Sequence, residues 1–119
     1  MKNVGIIGCG SIMPRHASAV INNIDYSLIA LCDIQKDILK NSCKKYNTKA
    51  YTDYKKMIED KEINFISIAT PNSQHTEQAL YALENGCDVL IEKPVSLNPL
   101  DVAIISKAAN ENKQKAYCV

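Results

Sequence analysis

Short apolar runs alternate along the chain with segments whose apolar residues recur at helical spacing. The runs are NVGIIG (3–8), YSLIALCD (26–33), KAYT (49–52), NFISIAT (64–70), CDVLIE (87–92) and KAYCV (115–119). Most of them are continuously apolar, which is typical of strands in a sheet that helices cover on both faces. The pattern therefore predicts six strands separated by helices.

Apolar stripes in the intervening segments predict which residues of each helix face inward. The predicted inward-facing residues are Ile12, His16, Val20 and Ile24; Ile34, Ile38, Leu39 and Tyr46; Thr76, Ala79, Leu80 and Leu83; and Ile104, Ile105 and Ala108. Gly86 suits the position just after a helix. Asn98 and Pro99, followed by Asp101, form a helix start.

The alternation of strands and helices predicts an α/β fold in a single domain that spans residues 1–119. Right-handed crossovers convert this order into a doubly wound parallel sheet with six strands in the order 3-2-1-4-5-6. A flavodoxin-like strand order is the alternative, and it explains the glycines of the first loop less well.

Composition narrows the class of protein. Hydrophobic residues make up 46% of the chain and charged residues 23%, with a net charge of +1, which argues against nucleic-acid binding. No apolar run approaches the roughly 20 residues of a membrane span, and no secretory leader is evident. The five cysteines lack metal-binding spacing, so we expect no disulfide framework, no metal site and a reducing cytoplasm.

The first strand leads into a glycine-containing turn and then a helix. Gly8 permits the tight turn, and Gly10 lets a pyrophosphate approach the backbone. The amides of Ser11 and Ile12 would then face the phosphates from the helix N-terminus. Met13 stands where a small residue is usual, so we expect either a small shift of the helix or a thioether that is turned aside, and a looser cofactor fit.

Asp33 ends the second run, 23 positions after Gly10. An acidic residue at about this distance accepts hydrogen bonds from the ribose hydroxyls of a dinucleotide. Its charge would repel the 2′-phosphate of NADP, and no arginine follows it, so the sequence favours NAD over NADP. The alternative role for Asp33 is to cap the second helix.

Polar segments also follow the fourth and fifth runs, whose carboxyl ends border the ligand crevice of a doubly wound sheet. The first segment, ATPNSQH (69–75), contains the candidate cofactor-binding residues Thr70, Pro71, Asn72 and His75. Its alternative interpretation is a capping loop with a surface histidine. The second, EKP (92–94), places Lys93 where a nicotinamide would lie; its alternative is an ordinary exposed turn.

Together these segments resemble the glucose–fructose oxidoreductase/inositol dehydrogenase (Gfo/Idh/MocA) family. The resemblance covers the whole chain through VGIIGCGSIMPRH, LCD, ATPNSQH and DVLIEKP. It implies an NAD(P)-binding Rossmann domain and redox chemistry at a secondary alcohol of a sugar, cyclitol or similar polyol. It also implies a catalytic lysine, Lys93, that contacts the substrate hydroxyl and the nicotinamide ribose, and a cofactor lining formed by Thr70, Asn72, His75 and Glu92.

Members of that family continue into a larger α/β domain that holds the substrate. We expect that domain to be absent from residues 1–119, so that the chain is a fragment of a longer cytoplasmic enzyme and is inactive alone. A stand-alone, non-enzymatic NAD-binding module is the alternative. An S-adenosylmethionine methyltransferase is disfavoured, because the segments at 69–75 and 92–94 would have no role there. The sequence leaves assembly into a homo-oligomer open.

Overall fold

The structure is a computed structural model that describes residues 1–92 and 98–118. Within these ranges strands and helices alternate: β1 (Lys2–Ile7), α1 (Met13–Ile21), β2 (Tyr26–Cys32), α2 (Lys36–Tyr46), β3 (Lys49–Tyr51), α3 (Tyr54–Glu59), β4 (Phe65–Ile68), α4 (His75–Glu84), β5 (Asp88–Ile91), α5 (Pro99–Glu111) and β6 (Ala116–Cys118). A short 3-10 turn, Asn72–Gln74, precedes α4.

All six strands pair in parallel, in the order β3-β2-β1-β4-β5-β6. This confirms the predicted doubly wound α/β sheet, and the flavodoxin-like alternative is wrong. The strands coincide with the predicted apolar runs to within two residues at each end; β1 begins one residue before its run, at Lys2.

Helices pack on both faces of the sheet. On one face, α1 and α2 contribute buried residues such as Ala17 and Leu39. On the other, α3, α4 and α5 contribute Met57, Leu83 and Ile105. Burying one such large side chain stabilises a fold by about 1.5–3 kcal/mol. The continuously apolar strands are therefore explained by contacts on both faces.

The predicted end of the fourth helix and the predicted start of the fifth helix are confirmed. The Asn98 side chain accepts a hydrogen bond from the Leu100 amide at 3.0 Å, and Pro99 is the first residue of α5. Gly86 follows α4 with a φ of +83°, a left-handed conformation that glycine adopts without steric cost.

Four isoleucines predicted to face inward are exposed instead: Ile24 (89%), Ile34 (83%), Ile38 (38%) and Ile104 (46%). Helix α1 ends before Ile24, and α2 begins after Ile34, so helical spacing does not apply to either residue. The residues predicted to face inward that are buried in α2 and α5 are Leu39 and Ile105, accompanied by Cys43 and Ala109.

Among the described residues, no helix has both the length and the apolar character needed to cross a bilayer. Nor do these residues place three or more histidine, cysteine or acidic side chains together as metal ligands. The five cysteines are free thiols; four are buried, and Cys118 is exposed.

Candidate functional site

The carboxyl ends of four strands meet at one edge of the sheet. The residues that directly follow β1, β2, β4 and β5 are Gly8, Asp33, Ala69 and Glu92. Each donates its amide hydrogen to a carbonyl oxygen at the end of an adjacent strand, at 2.7 to 3.2 Å. These bonds continue the sheet ladder by one residue and bring the predicted loops together.

A crevice of about 540 Å³ opens between the loops that follow β1, β2 and β4, within the size range of small-molecule sites. Five predicted cofactor-binding residues line it: Gly8, Gly10, Asp33, Thr70 and Pro71. Among its described lining residues there is no lysine or arginine, whereas two are aspartates. The crevice wall therefore carries negative charge on the side of Asp33.

Gly8 has a φ of +100°, which residues with a side chain rarely adopt. A Cβ atom there would also lie 2.8 Å from the carbonyl oxygen of Ala69, which is backbone and cannot turn aside. Only glycine fits this turn after β1, where the chain passes close to the end of β4, as the sequence predicted.

Gly10 differs, because an added Cβ would meet no atom of the described residues within 4 Å. Packing among these residues does not require glycine here, and the missing side chain leaves open space in the crevice. The Met13 amide donates to the Gly10 carbonyl oxygen at 3.2 Å and closes the turn. Ser11 and the half-buried Ile12 precede α1, so their amides lie at the positive end of that helix.

The Asp33 carboxylate connects the glycine turn to the start of α2. Its Oδ2 accepts a hydrogen bond from the Cys9 amide at 2.8 Å, and its Oδ1 accepts one from the Gln35 amide at 2.8 Å. Gln35 is itself the residue before α2, so the alternative role of Asp33, as the N-cap of this helix, is wrong. Each carboxylate oxygen can accept more than one hydrogen bond, and the side chain is half-buried at the crevice wall.

Cys9 lies between the two loop glycines. Burial raises the pKa of its thiol to about 11, and the nearby negative charge of Asp33 acts in the same direction. The thiol therefore stays protonated at neutral pH, where it is a poor nucleophile. Its place in the loop is that of a small apolar side chain.

Met13 is 3% exposed and belongs to the core cluster on the α1 face of the sheet. Pro14 follows it in the first turn of α1, where an amide hydrogen is not needed. The structure therefore accommodates the unusual methionine within the core. The looser cofactor fit stays a prediction.

Side-chain contacts hold the turn after β4. The Thr70 hydroxyl donates to Oε1 of Gln78 at 2.6 Å, and Nε2 of His75 donates to the Thr70 carbonyl oxygen. His75 is 1% exposed, so the surface-histidine interpretation is wrong. The structure does not bring His75 to the crevice wall; it lies behind Thr70. The side chain of Asn72 lies outside the described residues.

Glu92 is likewise directed away from the crevice, toward α1. Its Oε1 lies 3.0 Å from Nε2 of His16, and its side chain is 13% exposed. Lys93, the predicted catalytic residue, lies outside the described residues. Direct contact of Glu92 and Lys93 with a cofactor stays a prediction.

Sequence reasoning missed the contribution of the loop after β3. Thr52, Asp53 and Tyr54 line the crevice beside Asp33, and Asp53 caps α3 by accepting from the Lys55 amide at 2.9 Å. The available signal was topological, because TDY directly follows the third apolar run and so falls at the same sheet edge.

The sequence matches the family model described as "Oxidoreductase family, NAD-binding Rossmann fold" over residues 2–119. The chain belongs to the Gfo/Idh/MocA oxidoreductase family. This confirms the resemblance drawn from the glycine loop and the segments after the fourth and fifth strands.

Curated relatives include D-glucoside 3-dehydrogenase of Escherichia coli, which is 35% identical over 98 residues, 81% of this chain and 28% of that protein. Inositol 2-dehydrogenase of Salmonella typhimurium is 29% identical over 114 residues, 93% of this chain and 34% of that protein. This Gfo/Idh/MocA chain therefore spans about a third of the length of these relatives.

Solved structures show the same fold. The WlbA dehydrogenase from Bordetella pertussis, in complex with NADH and UDP-GlcNAcA, superimposes with a TM-score of 0.94 at 25% identity. The alignment covers 100% of this chain and 37% of the dehydrogenase. The Rossmann fold of this Gfo/Idh/MocA chain thus corresponds to part of a larger dehydrogenase chain.

Proposed function

We propose that this chain binds NAD(H) in the crevice and forms the cofactor-binding domain of an oxidoreductase that acts on a secondary alcohol of a sugar, cyclitol or similar polyol. The observation that carries the proposal is the open space beside Gly10, at the N-terminus of α1 and bordered by the Asp33 carboxylate. Membership of an NAD-binding oxidoreductase family supports it.

The residues at this edge fit a dinucleotide. The amides of Ser11 and Ile12 at the N-terminus of α1 would hold the pyrophosphate, since backbone N–H groups and the helix dipole both favour an anion there. The Asp33 oxygens would accept from the ribose hydroxyls while keeping their bonds to the loop. Thr70 and Pro71 would border the cofactor on the β4 side.

The charges favour NAD over NADP. A 2′-phosphate beside Asp33 would meet a carboxylate and find no lysine or arginine among the described lining residues. Two like charges that lie closer than about 5 Å in a partly buried site repel each other by several kcal/mol. The Asp33 carboxylate would therefore disfavour binding of the 2′-phosphate.

In the proposed reaction, a hydride would pass from the alcohol carbon of the substrate to bound NAD. Lys93 would remove the hydroxyl proton, and a substrate domain outside residues 1–119 would hold the polyol against the cofactor. The relatives named above, one a glucoside dehydrogenase and one an inositol dehydrogenase, support this class of substrate. The proposed enzyme would work in the cytoplasm.

Asp33→Asn tests the proposed site. The change keeps the size of the side chain and removes its charge, and a hydrogen bond to a charged group contributes about 1.5–3 kcal/mol. We expect NADH affinity to fall by about tenfold or more and the preference for NADH over NADPH to narrow, as measured by fluorescence titration.

Asp37→Asn is the matched control, since Asp37 is exposed on α2 and does not line the crevice. It should leave both affinities within about twofold, as is usual for a surface substitution. Tighter binding of NADPH than NADH by the unmodified chain would contradict the role given to Asp33.

A further inference from the structure

A buried polar chain joins three elements below the crevice. His16 on α1 lies with Nδ1 against the Ser67 hydroxyl of β4 and with Nε2 at 3.0 Å from Glu92, just after β5. His16 is 4% exposed and Ser67 1%. Both nitrogens of the imidazole ring are therefore hydrogen-bonded, one to β4 and the other to the residue that follows β5.

The hydrogen-bonding capacity of the three groups defines the direction of the bonds. A carboxylate only accepts, so Nε2–H of His16 donates to Glu92. Nδ1 of the same ring is hydrogen-bonded to the Ser67 hydroxyl. The imidazole therefore bridges the hydroxyl and the carboxylate directly.

Glu92 is held from two sides. Its amide donates to the Ile68 carbonyl oxygen of β4 at 3.2 Å, and its carboxylate is bonded to His16. The contact between His16 and Glu92 is therefore a direct side-chain link between α1 and the residue that follows β5.

We propose that His16 is a positioning residue that couples the helix after the glycine loop to the end of β5. This inference rests on the proposed NAD(H) function. His16 would keep the end of β5, where the nicotinamide is proposed to bind, correctly placed relative to the glycine loop, where the pyrophosphate is proposed to bind. His16 itself touches no cofactor; it acts through Glu92.

The test compares two ligands that differ only in the nicotinamide ring, NADH and ADP-ribose. In His16→Ala we expect NADH affinity to fall about tenfold and ADP-ribose affinity to change less than about threefold, a difference of the size expected when a hydrogen bond to a charged group is lost. His16→Gln keeps an amide donor toward Glu92 and should restore part of the difference.

Two further variants separate positioning from general loosening. Val20→Ala removes packing from the same helix without touching Glu92 and should leave the ratio of the two affinities unchanged. Adding Glu92→Ala to His16→Ala should cause no further selective loss of NADH affinity if both residues act through one bond.

If His16→Ala does not fold, Ser67→Ala, which removes a single hydroxyl, should shift the ratio of the two affinities in the same direction by about twofold or more.

Equal loss of both ligands in the His16 variants, or no loss of either, would overturn the inference. So would an additive effect of the Glu92 change. An unmodified chain that binds neither ligand would instead refute the proposed function, so the two failures are distinguishable.

Discussion

Gly8→Ala is expected to lower the free energy of unfolding by about 2–5 kcal/mol, whereas Gly10→Ala is expected to leave it nearly unchanged. At Gly8 the backbone conformation disfavours any side chain, and the methyl group would press on the Ala69 carbonyl oxygen. At Gly10 the methyl group would meet no atom within 4 Å in the part of the chain that the structure describes. Urea denaturation followed by circular dichroism measures both values.

For binding of the proposed ligand, Gly10→Ala is the variant with the large expected effect. Gly10→Ala fills the space proposed for the pyrophosphate, and an ill-fitting methyl group costs about 1–3 kcal/mol, so NADH affinity should fall about tenfold or more. A Gly10→Ala protein that is folded and binds NADH with unchanged affinity would place the pyrophosphate elsewhere. Native stability in Gly8→Ala would contradict the packing of this turn.

Loss of Lys93 is expected to abolish dehydrogenase activity in a longer form of the protein that includes a substrate domain. General acid–base groups contribute about 10²–10⁴-fold to rate, so Lys93→Ala should reduce turnover of NAD with myo-inositol or a glucoside by at least about a hundredfold. NADH binding should persist, because the crevice residues described above remain. The 119-residue chain alone should bind NADH without turnover.

Lys107→Ala is the control for this experiment. Lys107 is exposed on α5, where it pairs with Glu111 at 3.8 Å, and its loss should not change the rate. Lys93→Arg introduces a guanidinium, which stays protonated and cannot act as a base, so it should be as inactive as alanine. Turnover by the 119-residue chain that survives purification controls would contradict the two-domain account.

The strands and their order could be predicted from the sequence because burial on both faces leaves an unmistakable signature. A run such as NFISIAT has no polar face, and crossover handedness then limits the sheet to a few orders. The inward faces of the helices were less predictable, because the helical spacing of apolar residues continues beyond the ends of the helices. Ile24 and Ile34 matched the period but lie outside α1 and α2.

The part of the site that lies within short loops was predictable, and the long-range contacts were not. Gly8, Gly10 and Asp33 lie within three residues of the ends of their strands, so topology places them at one edge. The bond between His16 and Glu92 joins residues 76 positions apart, and no local pattern reports such a pairing. Burial of His75 behind Thr70 depends in the same way on how α4 packs.

The most direct test of the central claim is a titration of the 15N-labelled 119-residue chain with NADH, followed by amide chemical shifts. The account predicts saturation at one equivalent, with the largest shifts at residues 8–12, Asp33 and Thr70. Amides at the opposite edge of the sheet, such as Asn64 and Lys115, should barely move. Absence of shifts at millimolar NADH, or shifts concentrated at that opposite edge, would contradict NAD binding at the carboxyl ends of the strands.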